Sequence, residues 1–133
     1  GPMPFSLYGL KMLKEIVIDR NRLSGQLSPA IAHLQNLTKL LISNNSISGE
    51  LPLELGSLKN LEVLGFHENR FNGSIPESFG NLTRLFHLDA SKNKLTGSIF
   101  PRISALQNLQ TLDFSSNSLV GPIPNEITHL KNA

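Results

Sequence analysis

The sequence contains no cysteine and no tryptophan, and no apolar run approaches the roughly 18 residues of a membrane span. Secreted repeat proteins often close their ends with disulfide-bonded caps. The absence of cysteine therefore indicates either a reducing compartment or a piece from the middle of a longer array. The N-terminus carries no secretory signal. The net charge is only +2 and its lysines and arginines are scattered, so a nucleic-acid-binding face is not expected.

A period of 24 residues organises the chain. Each unit reads L-x-x-L-x-L-x-x-N-x-L-x-G-x-I-P-x-x-L-x-x-L-x-x with small variations. This pattern falls in the range of leucine-rich repeats, about 20–29 residues. The whole chain, 1–133, is predicted to be a single array. Residues 1–12 form a half repeat, and the full repeats are 13–36, 37–60, 61–84, 85–108 and 109–132.

Seven positions of each unit are apolar in all five full units and are expected to face inward, namely the first, fourth, sixth, eleventh, fifteenth, nineteenth and twenty-second. A lone unit cannot bury its apolar face, so stability must come from stacking neighbours. The short L-x-L segment of each unit predicts a strand, and parallel strands of successive units would line up about 4.8 Å apart. The predicted fold is an α/β-type leucine-rich repeat solenoid of strands and irregular or 3-10 segments. We expect a right-handed superhelix with a concave parallel sheet of about five strands and no caps.

The recurring asparagine and glycine positions of the repeat have a structural explanation. The asparagine ladder consists of Asn21, Asn45, Asn69, Asn93 and Asn117. A buried amide carries two donors and an acceptor, and can bond the backbone of its own turn and the adjacent one. The glycine column predicts tight backbone or a positive φ.

Ser28-Pro29 and Phe100-Pro101 place the proline one position later than the other units, so a different convex backbone is expected there.

The repeat resembles the plant-specific class of leucine-rich repeats. The segments that carry the resemblance are LISNNSISGELP, LGFHENRFNGSIP, LDASKNKLTGSIF and LDFSSNSLVGPIP. In that class the commonest parents are receptor kinases of the plasma membrane. The segments LDASKNKLTGSIF and LDFSSNSLVGPIPNEI resemble the MULTIPLE SPOROCYTE receptor kinases of grasses, which control anther cell fate.

The resemblance implies a slice of an extracellular domain on the outer side of the plasma membrane. Its partner would be a small secreted cysteine-rich protein or peptide ligand, with a co-receptor kinase as a further partner. The parent would carry the membrane span and a Ser/Thr kinase, while this chain would have no enzymatic activity and no cofactor. The alternatives are a secreted inhibitor of a cell-wall enzyme and a receptor–receptor assembly module. Exposed core residues at both ends predict end-to-end self-association.

Secretion is also suggested by four acceptor sequences for N-glycosylation, Asn-x-Ser/Thr. The candidates are Asn36, Asn44, Asn72 and Asn81. The alternative is that Asn, Ser and Thr are simply frequent in these repeats. Asn36 and Asn81 lie near the ends of their units and are expected to be exposed.

Solvent-facing residues of the strands are not needed for core packing, so their identities can indicate function. In the plant-specific class, the fifth position of a unit is often Asp and the seventh is often Ser. The last two units follow this pattern, and the first three depart from it. Val17 and Leu41 therefore adjoin on a face expected to be polar, and Gly65 leaves a notch beside them. The alternative is that these are isolated exposed apolar residues without function. The predicted ligand-binding residues of the concave face are Val17, Leu41, Val63, Gly65, His67, Phe86, His87, Asp89 and Asp113.

A basic rim is predicted near the strand ends, where Glu68 and Asp89 could neutralise part of it. The alternatives are a solvated rim and a contact for an acidic partner, whose binding would weaken with salt. The rim residues are Arg20, Arg22, Arg70, Lys92 and Lys94.

The sequence pattern places no residues together in a way that suits metal binding or nucleophilic catalysis. His67 and His87 share the concave face, but a separation of roughly 13 Å along the strand direction is too large for a shared ion. No serine is placed beside a base, and the glycine column follows the 24-residue period rather than forming a phosphate-binding loop. We therefore expect a binding protein without a metal site.

Overall fold

The structure is a computed structural model that describes residues 1–99, 103 and 105–120. The inward positions expected at 123, 127 and 130 and the shifted proline at 101 lie outside the described residues. The described residues include the half repeat, the first three full units, most of the fourth and the first half of the fifth.

Five short parallel strands form the main sheet, as the sequence predicts. The L-x-L segments produce them because their central residue is buried and the flanking residues face the open side. The strands pair in the order β1-β2-β4-β6-β7, with each residue opposite the one 24 positions later. Their bounds are β1 Glu15–Val17, β2 Lys39–Leu41, β4 Val63–Gly65, β6 His87–Asp89 and β7 Thr111–Asp113.

A second sheet, which the sequence did not predict, forms after the asparagine column. β3 (Ser48–Glu50) and β5 (Arg70–Asn72) pair in parallel, and the amides of Lys94 and Thr96 continue the pattern with bonds to the preceding unit. The glycines of this segment have φ between 73° and 82°, which confirms the predicted positive φ. The turn residues therefore also form inter-unit hydrogen bonds.

Four 3-10 helices of five residues each can be given full bounds in the part of the chain that the structure describes, and they lie on the opposite side of the stack from the main sheet. They are η1 Phe5–Gly9, η2 Pro29–His33, η3 Leu53–Ser57 and η4 Glu77–Asn81. The residue before η1, η3 and η4 is a proline.

The shifted proline at position 29 does not change this backbone, contrary to the expectation. Pro29 is the first residue of η2, and η2 begins 24 residues after η1 and 24 before η3. Ser28 caps the helix instead, since its hydroxyl accepts a hydrogen bond from the Ala30 amide at 3.1 Å. Serine at the cap and proline inside the first turn achieve the same helix start.

The interior is one continuous apolar cluster that runs through all described units. All seven inward positions of units 37–60 and 61–84 are buried. Leu13, Ile18 and Leu23 of the first unit are only partly buried, because the half repeat covers them incompletely. Phe66 and Phe71 meet edge to face with ring centroids 5.3 Å apart.

The asparagine ladder links neighbouring units. The Asn93 amide nitrogen donates to the carbonyls of Phe66, Ala90 and Ser91, and its oxygen accepts from the Phe71 amide at 3.1 Å. Asn45, Asn69 and Asn117 repeat this set of bonds.

Asn21 departs from the ladder. It is exposed, and its amide nitrogen donates to the Asp19 carbonyl at 3.0 Å. The ladder bonds reach backbone groups 22 and 27 residues earlier. Asn21 instead bonds within its own turn, to a carbonyl two residues earlier.

Candidate ligand-binding face

The register of the main sheet aligns the predicted concave columns. Residues of the third position lie side by side from Glu15 to Thr111, and those of the fifth position from Val17 to Asp113. Side chains of a strand alternate, so the buried central residue of each strand leaves its two neighbours on the same open face. The structure therefore brings Val17, Leu41, Val63, His87, Asp89 and Asp113 onto one surface.

Apolar side chains occupy the part of this face nearest the N-terminus. Val17 is 56% exposed, and Leu41 and Val63 are partly exposed on the next two strands. Phe86 is 37% exposed one position before β6, next to the partly exposed His87. Val17, Leu41 and Val63 thus form an apolar area at positions that carry Asp or Thr in the last unit.

Gly65 does not leave the expected notch, because Leu41 fills it. Gly65 is buried, and a Cβ placed on it would lie 2.9 Å from Leu41 Cδ2 and 3.6 Å from Ser43 Oγ. The Leu41 side chain therefore leans across the glycine and covers Ser43. The face is apolar and flat here rather than indented.

Aspartate and serine form a local pair in the last two units. Asp89 Oδ1 accepts from the Ser91 amide at 3.1 Å and from the Ser91 hydroxyl at 2.7 Å. Asp113 Oδ1 accepts from the Ser115 amide at 2.9 Å. The Ser115 hydroxyl and amide hold the pKa of the Asp113 carboxyl below its usual value, with smaller help from His67 and Lys92 and against the effect of burial.

Ser43 lacks this partner because Leu41 stands at the aspartate position. Its side chain is buried, and its hydroxyl oxygen has no hydrogen-bond partner. The Ser43 amide is bonded separately, to Asp19 Oδ1 at 2.6 Å. A buried hydroxyl without a partner costs roughly 1–3 kcal/mol, so the leucine is unfavourable for the fold at this place.

His67 contacts two polar groups on the same face. Its Nδ1 lies 3.2 Å from Asp89 Oδ2, and its Nε2 lies 3.5 Å from Asn44 Nδ2. Nδ1 is within ion-pair distance of the carboxylate but forms no hydrogen bond with suitable angles. The sequence analysis placed Asp89 on the concave face and suggested that it could neutralise part of the basic rim. In the structure its carboxylate lies against His67.

The five residues of the basic rim are exposed. Lys92 Nζ lies 3.2 Å from Glu68 Oε1, so Glu68 interrupts the rim as expected. Glu68 and Lys92 belong to a column of residues with positive φ. The sequence analysis did not predict this conformation, because glycine is the residue that usually adopts a positive φ. The signal was Asn44, a residue type that tolerates this conformation. The column consists of Arg20, Asn44, Glu68, Lys92 and Ser116.

The four glycosylation candidates lie in different places. Asn44 is at the edge of the concave face beside His67. Asn36 contacts the preceding unit, Asn72 belongs to β5, and Asn81 is the last residue of η4. The predicted exposure is correct for Asn81 and wrong for Asn36, which is partly buried.

Metal binding and membrane insertion can be examined over the described residues. No group of three or more His, Asp or Glu side chains there could hold a metal ion. In the same part of the chain, no helix has the length and apolar character needed to cross a bilayer.

Comparison with known proteins identifies the repeat. The leucine-rich repeat family matches residues 36–58, 60–82 and 108–130. No curated protein sequence matches the chain.

Solved structures of plant receptors are similar to the chain over nearly its whole length. The ectodomain of the Arabidopsis thaliana receptor kinase GASSHO1/SCHENGEN3, in complex with CASPARIAN STRIP INTEGRITY FACTOR 2, is 38% identical over 95% of this chain, with a TM-score of 0.92. The Arabidopsis receptor kinase HAESA, in complex with the peptide hormone IDA and the co-receptor SERK1, is 37% identical over 95%, with a TM-score of 0.92. The Arabidopsis SOBIR1 ectodomain is 39% identical over 88%, with a TM-score of 0.82.

The chain is much shorter than these relatives. It spans 15% of the GASSHO1/SCHENGEN3 chain, 21% of the HAESA chain and 64% of the SOBIR1 chain.

Proposed function

Because the chain belongs to the leucine-rich repeat family, we propose that it is a segment of the extracellular ligand-binding domain of a plant receptor kinase. The similarity to GASSHO1/SCHENGEN3 and HAESA supports this assignment. The chain would lie on the outer side of the plasma membrane, and its parent would supply the membrane span and a cytoplasmic Ser/Thr kinase. Leucine-rich repeat ectodomains are binding modules, so the segment contributes recognition rather than catalysis.

The ligand-binding surface in this proposal is the concave face around Leu41. One observation carries it: Leu41 replaces the aspartate of the Asp–Ser pair and leaves the buried Ser43 hydroxyl without a partner. A residue that is unfavourable for the fold is retained where it serves another purpose, here an apolar contact with a ligand. Val17 and Val63 extend that contact on both sides, and His67, His87, Asp89 and Asp113 supply polar contacts towards the C-terminus.

The ligand class in this proposal is a secreted peptide or a small secreted cysteine-rich protein. The complexes of GASSHO1/SCHENGEN3 and HAESA support the first of these. The second, with a role in anther cell fate, rests on the resemblance of LDASKNKLTGSIF and LDFSSNSLVGPIPNEI to the MULTIPLE SPOROCYTE receptor kinases. The SERK1 complex of HAESA supports a co-receptor kinase as a further partner.

A matched pair of charge substitutions tests the surface. The chain is used to select binders from a displayed library of secreted plant peptides, small cysteine-rich proteins, receptor ectodomains and cell-wall hydrolases. We expect Leu41→Asp to keep the fold, since it restores the partner of Ser43. It should lower the affinity of the selected binders at least about tenfold, because a carboxylate would be desolvated in the contact. Leu53→Asp is the control, because Leu53 is 65% exposed in η3 on the opposite side.

The two alternatives give different results in the same experiment. Binders that tolerate both Leu41→Asp and Val17→Asp would contradict the concave surface. Selective capture of a receptor ectodomain would favour the assembly module, and capture of a cell-wall hydrolase would favour the secreted inhibitor.

A further inference from the structure

We propose that Asn72 and Asn81 carry N-linked oligosaccharides, whereas Asn36 and Asn44 do not. This inference rests on the extracellular location proposed above, because the acceptor sequence is used only in the secretory pathway. All four residues have the required hydroxyl residue two positions later. The structure distinguishes them by the exposure of each acceptor residue and by the surface on which it lies.

At Asn36 both groups of the acceptor sequence face the preceding unit. The Asn36 amide nitrogen lies 3.4 Å from the Lys11 carbonyl oxygen, and the Thr38 hydroxyl donates to the Lys14 carbonyl at 3.1 Å. Asn36 itself is partly buried. An oligosaccharide on this nitrogen would displace it from the Lys11 carbonyl, so the folded stack disfavours it.

Asn44 is held at the edge of the concave face. It has a φ of 57°, is partly buried, and its amide nitrogen lies 3.5 Å from His67 Nε2. An oligosaccharide here would stand beside His67 and Leu41 and cover the proposed ligand contact. The proposal therefore requires Asn44 to stay unmodified.

Asn72 faces solvent on β5. In this strand Arg70 and Asn72 are exposed, while Phe71 between them is fully buried. The strand alternation thus points Asn72 away from the core. Ser74, which supplies the hydroxyl, is also exposed. The strand belongs to the second sheet and not to the ligand face.

Asn81 ends η4 on the convex side. Both Asn81 and the hydroxyl residue Thr83 are exposed. A large polar group on Asn81 would extend into solvent from the end of the helix, opposite the main sheet. Oligosaccharides at Asn72 and Asn81 would thus leave the concave face bare.

The modification is a group transfer from a lipid-linked diphosphate oligosaccharide. A bond forms between the asparagine Nδ2 and the anomeric carbon of the sugar, while the bond from that carbon to the diphosphate oxygen breaks. The amide nitrogen loses one proton, and the lipid diphosphate is the leaving group. The transfer needs no oxidant or reductant.

The test is the mass of the full chain secreted by insect cells, measured before and after treatment with peptide-N-glycosidase F. We expect two oligosaccharides on the unsubstituted chain. N72Q and N81Q should each remove one, whereas N36Q and N44Q should leave the oligosaccharide mass unchanged. Thermal melting of each secreted variant shows that it is folded.

The proposal is overturned if Asn72 or Asn81 is unmodified in the folded secreted chain, or if Asn36 or Asn44 carries an oligosaccharide. The same samples separate this result from the proposed function. A secreted chain that selects ligands through Leu41 but carries no oligosaccharide contradicts only the modification. A chain modified at Asn72 and Asn81 whose binders ignore Leu41 contradicts only the ligand surface.

Discussion

Ser43 and Asn93 are both buried polar residues of the repeat, but they differ in their hydrogen bonds. The Asn93 side chain makes four bonds to backbone groups of two units. The Ser43 hydroxyl makes none. A bonded polar group stabilises the interior and an unbonded one destabilises it, so substitutions at the two sites should have opposite effects.

Ser43→Ala is expected to raise the free energy of unfolding by about 1 kcal/mol, because it removes a buried hydroxyl without a partner and leaves a similar shape. Urea denaturation followed by circular dichroism measures the change. A loss of stability would show that the hydroxyl is bonded in solution, and would remove the argument that Leu41 is unfavourable for the fold.

Asn93→Leu is expected to lower the free energy of unfolding by about 1–3 kcal/mol, although leucine is more apolar. The Phe71 amide would lose its partner inside the stack, and an unpaired buried group costs roughly that much, whereas the Phe66 carbonyl would still accept from Asn69. The same denaturation experiment checks it. Asn21→Leu is the control, since Asn21 is exposed and should change stability little.

Asp113 should make stability depend on pH. Its pKa is lowered in the folded chain by the Ser115 hydrogen bonds, so its contribution is present above the unfolded pKa and is lost as pH falls through the folded one. We therefore expect Asp113→Asn to lower the urea midpoint at about pH 7. The difference should shrink towards about pH 3, near and below the unfolded value of about 3.9. A difference that is constant over this range would contradict the assignment.

The structural role of a residue could be predicted from the sequence where one residue type recurs at the same position of every unit. The ladder asparagines and the positive φ of the glycines follow this rule. The column of Arg20, Glu68 and Lys92 could not be recognised, because these side chains do not favour a positive φ. The unpartnered Ser43 hydroxyl depends on how the Leu41 side chain packs over Gly65, which spacing does not reveal.

At the scale of elements, close contact between 3-10 helices determines which residues are tolerated. A Cβ on Gly56 in η3 would clash with the Ser78 carbonyl oxygen in η4. Because this oxygen belongs to the backbone, the two helices would have to separate to accommodate a side chain. Glycine is thus needed here for close approach rather than for its backbone freedom.

Gly56→Ala is accordingly expected to lower the free energy of unfolding by about 1–3 kcal/mol, as for overpacked cores. Gly9→Ala is the matched control, because Gly9 ends η1 and a Cβ there would have no heavy atom within 4 Å. Equal midpoints of the two variants in urea would show that the contact between η3 and η4 is looser than described.

The sequence predicted the main sheet but not the second one. L-x-L alternation identifies β1, β2, β4, β6 and β7, because burial of the central residue determines the side-chain direction. β3 consists of polar residues and glycine and has no such alternation, and β5 alternates around the buried Phe71 but lacks the L-x-L pattern. They form because the ladder holds neighbouring units in register, so their pairing is a consequence of stacking rather than of local sequence.

At the scale of the whole molecule, the stack leaves apolar surface at its N-terminal side. Leu10 is 55% exposed, Met12 is 79% exposed, and β1 has no strand partner on that side among the described residues. We expect the chain to associate at high concentration, because exposed apolar residues and an unpaired edge promote contact between copies. Sedimentation velocity should show a smaller associated fraction for the double substitution Leu10→Lys and Met12→Lys. An unchanged distribution would contradict association through this side.

The central claim is that ligands bind to the concave sheet and not to the convex helices. Photo-cross-linking tests it most directly, with a photoreactive phenylalanine derivative placed either at Val17 on the sheet or at Leu53 in η3. Ligands selected by the unsubstituted chain should cross-link from position 17 and not from position 53. Cross-linking from position 53 alone would contradict the claim.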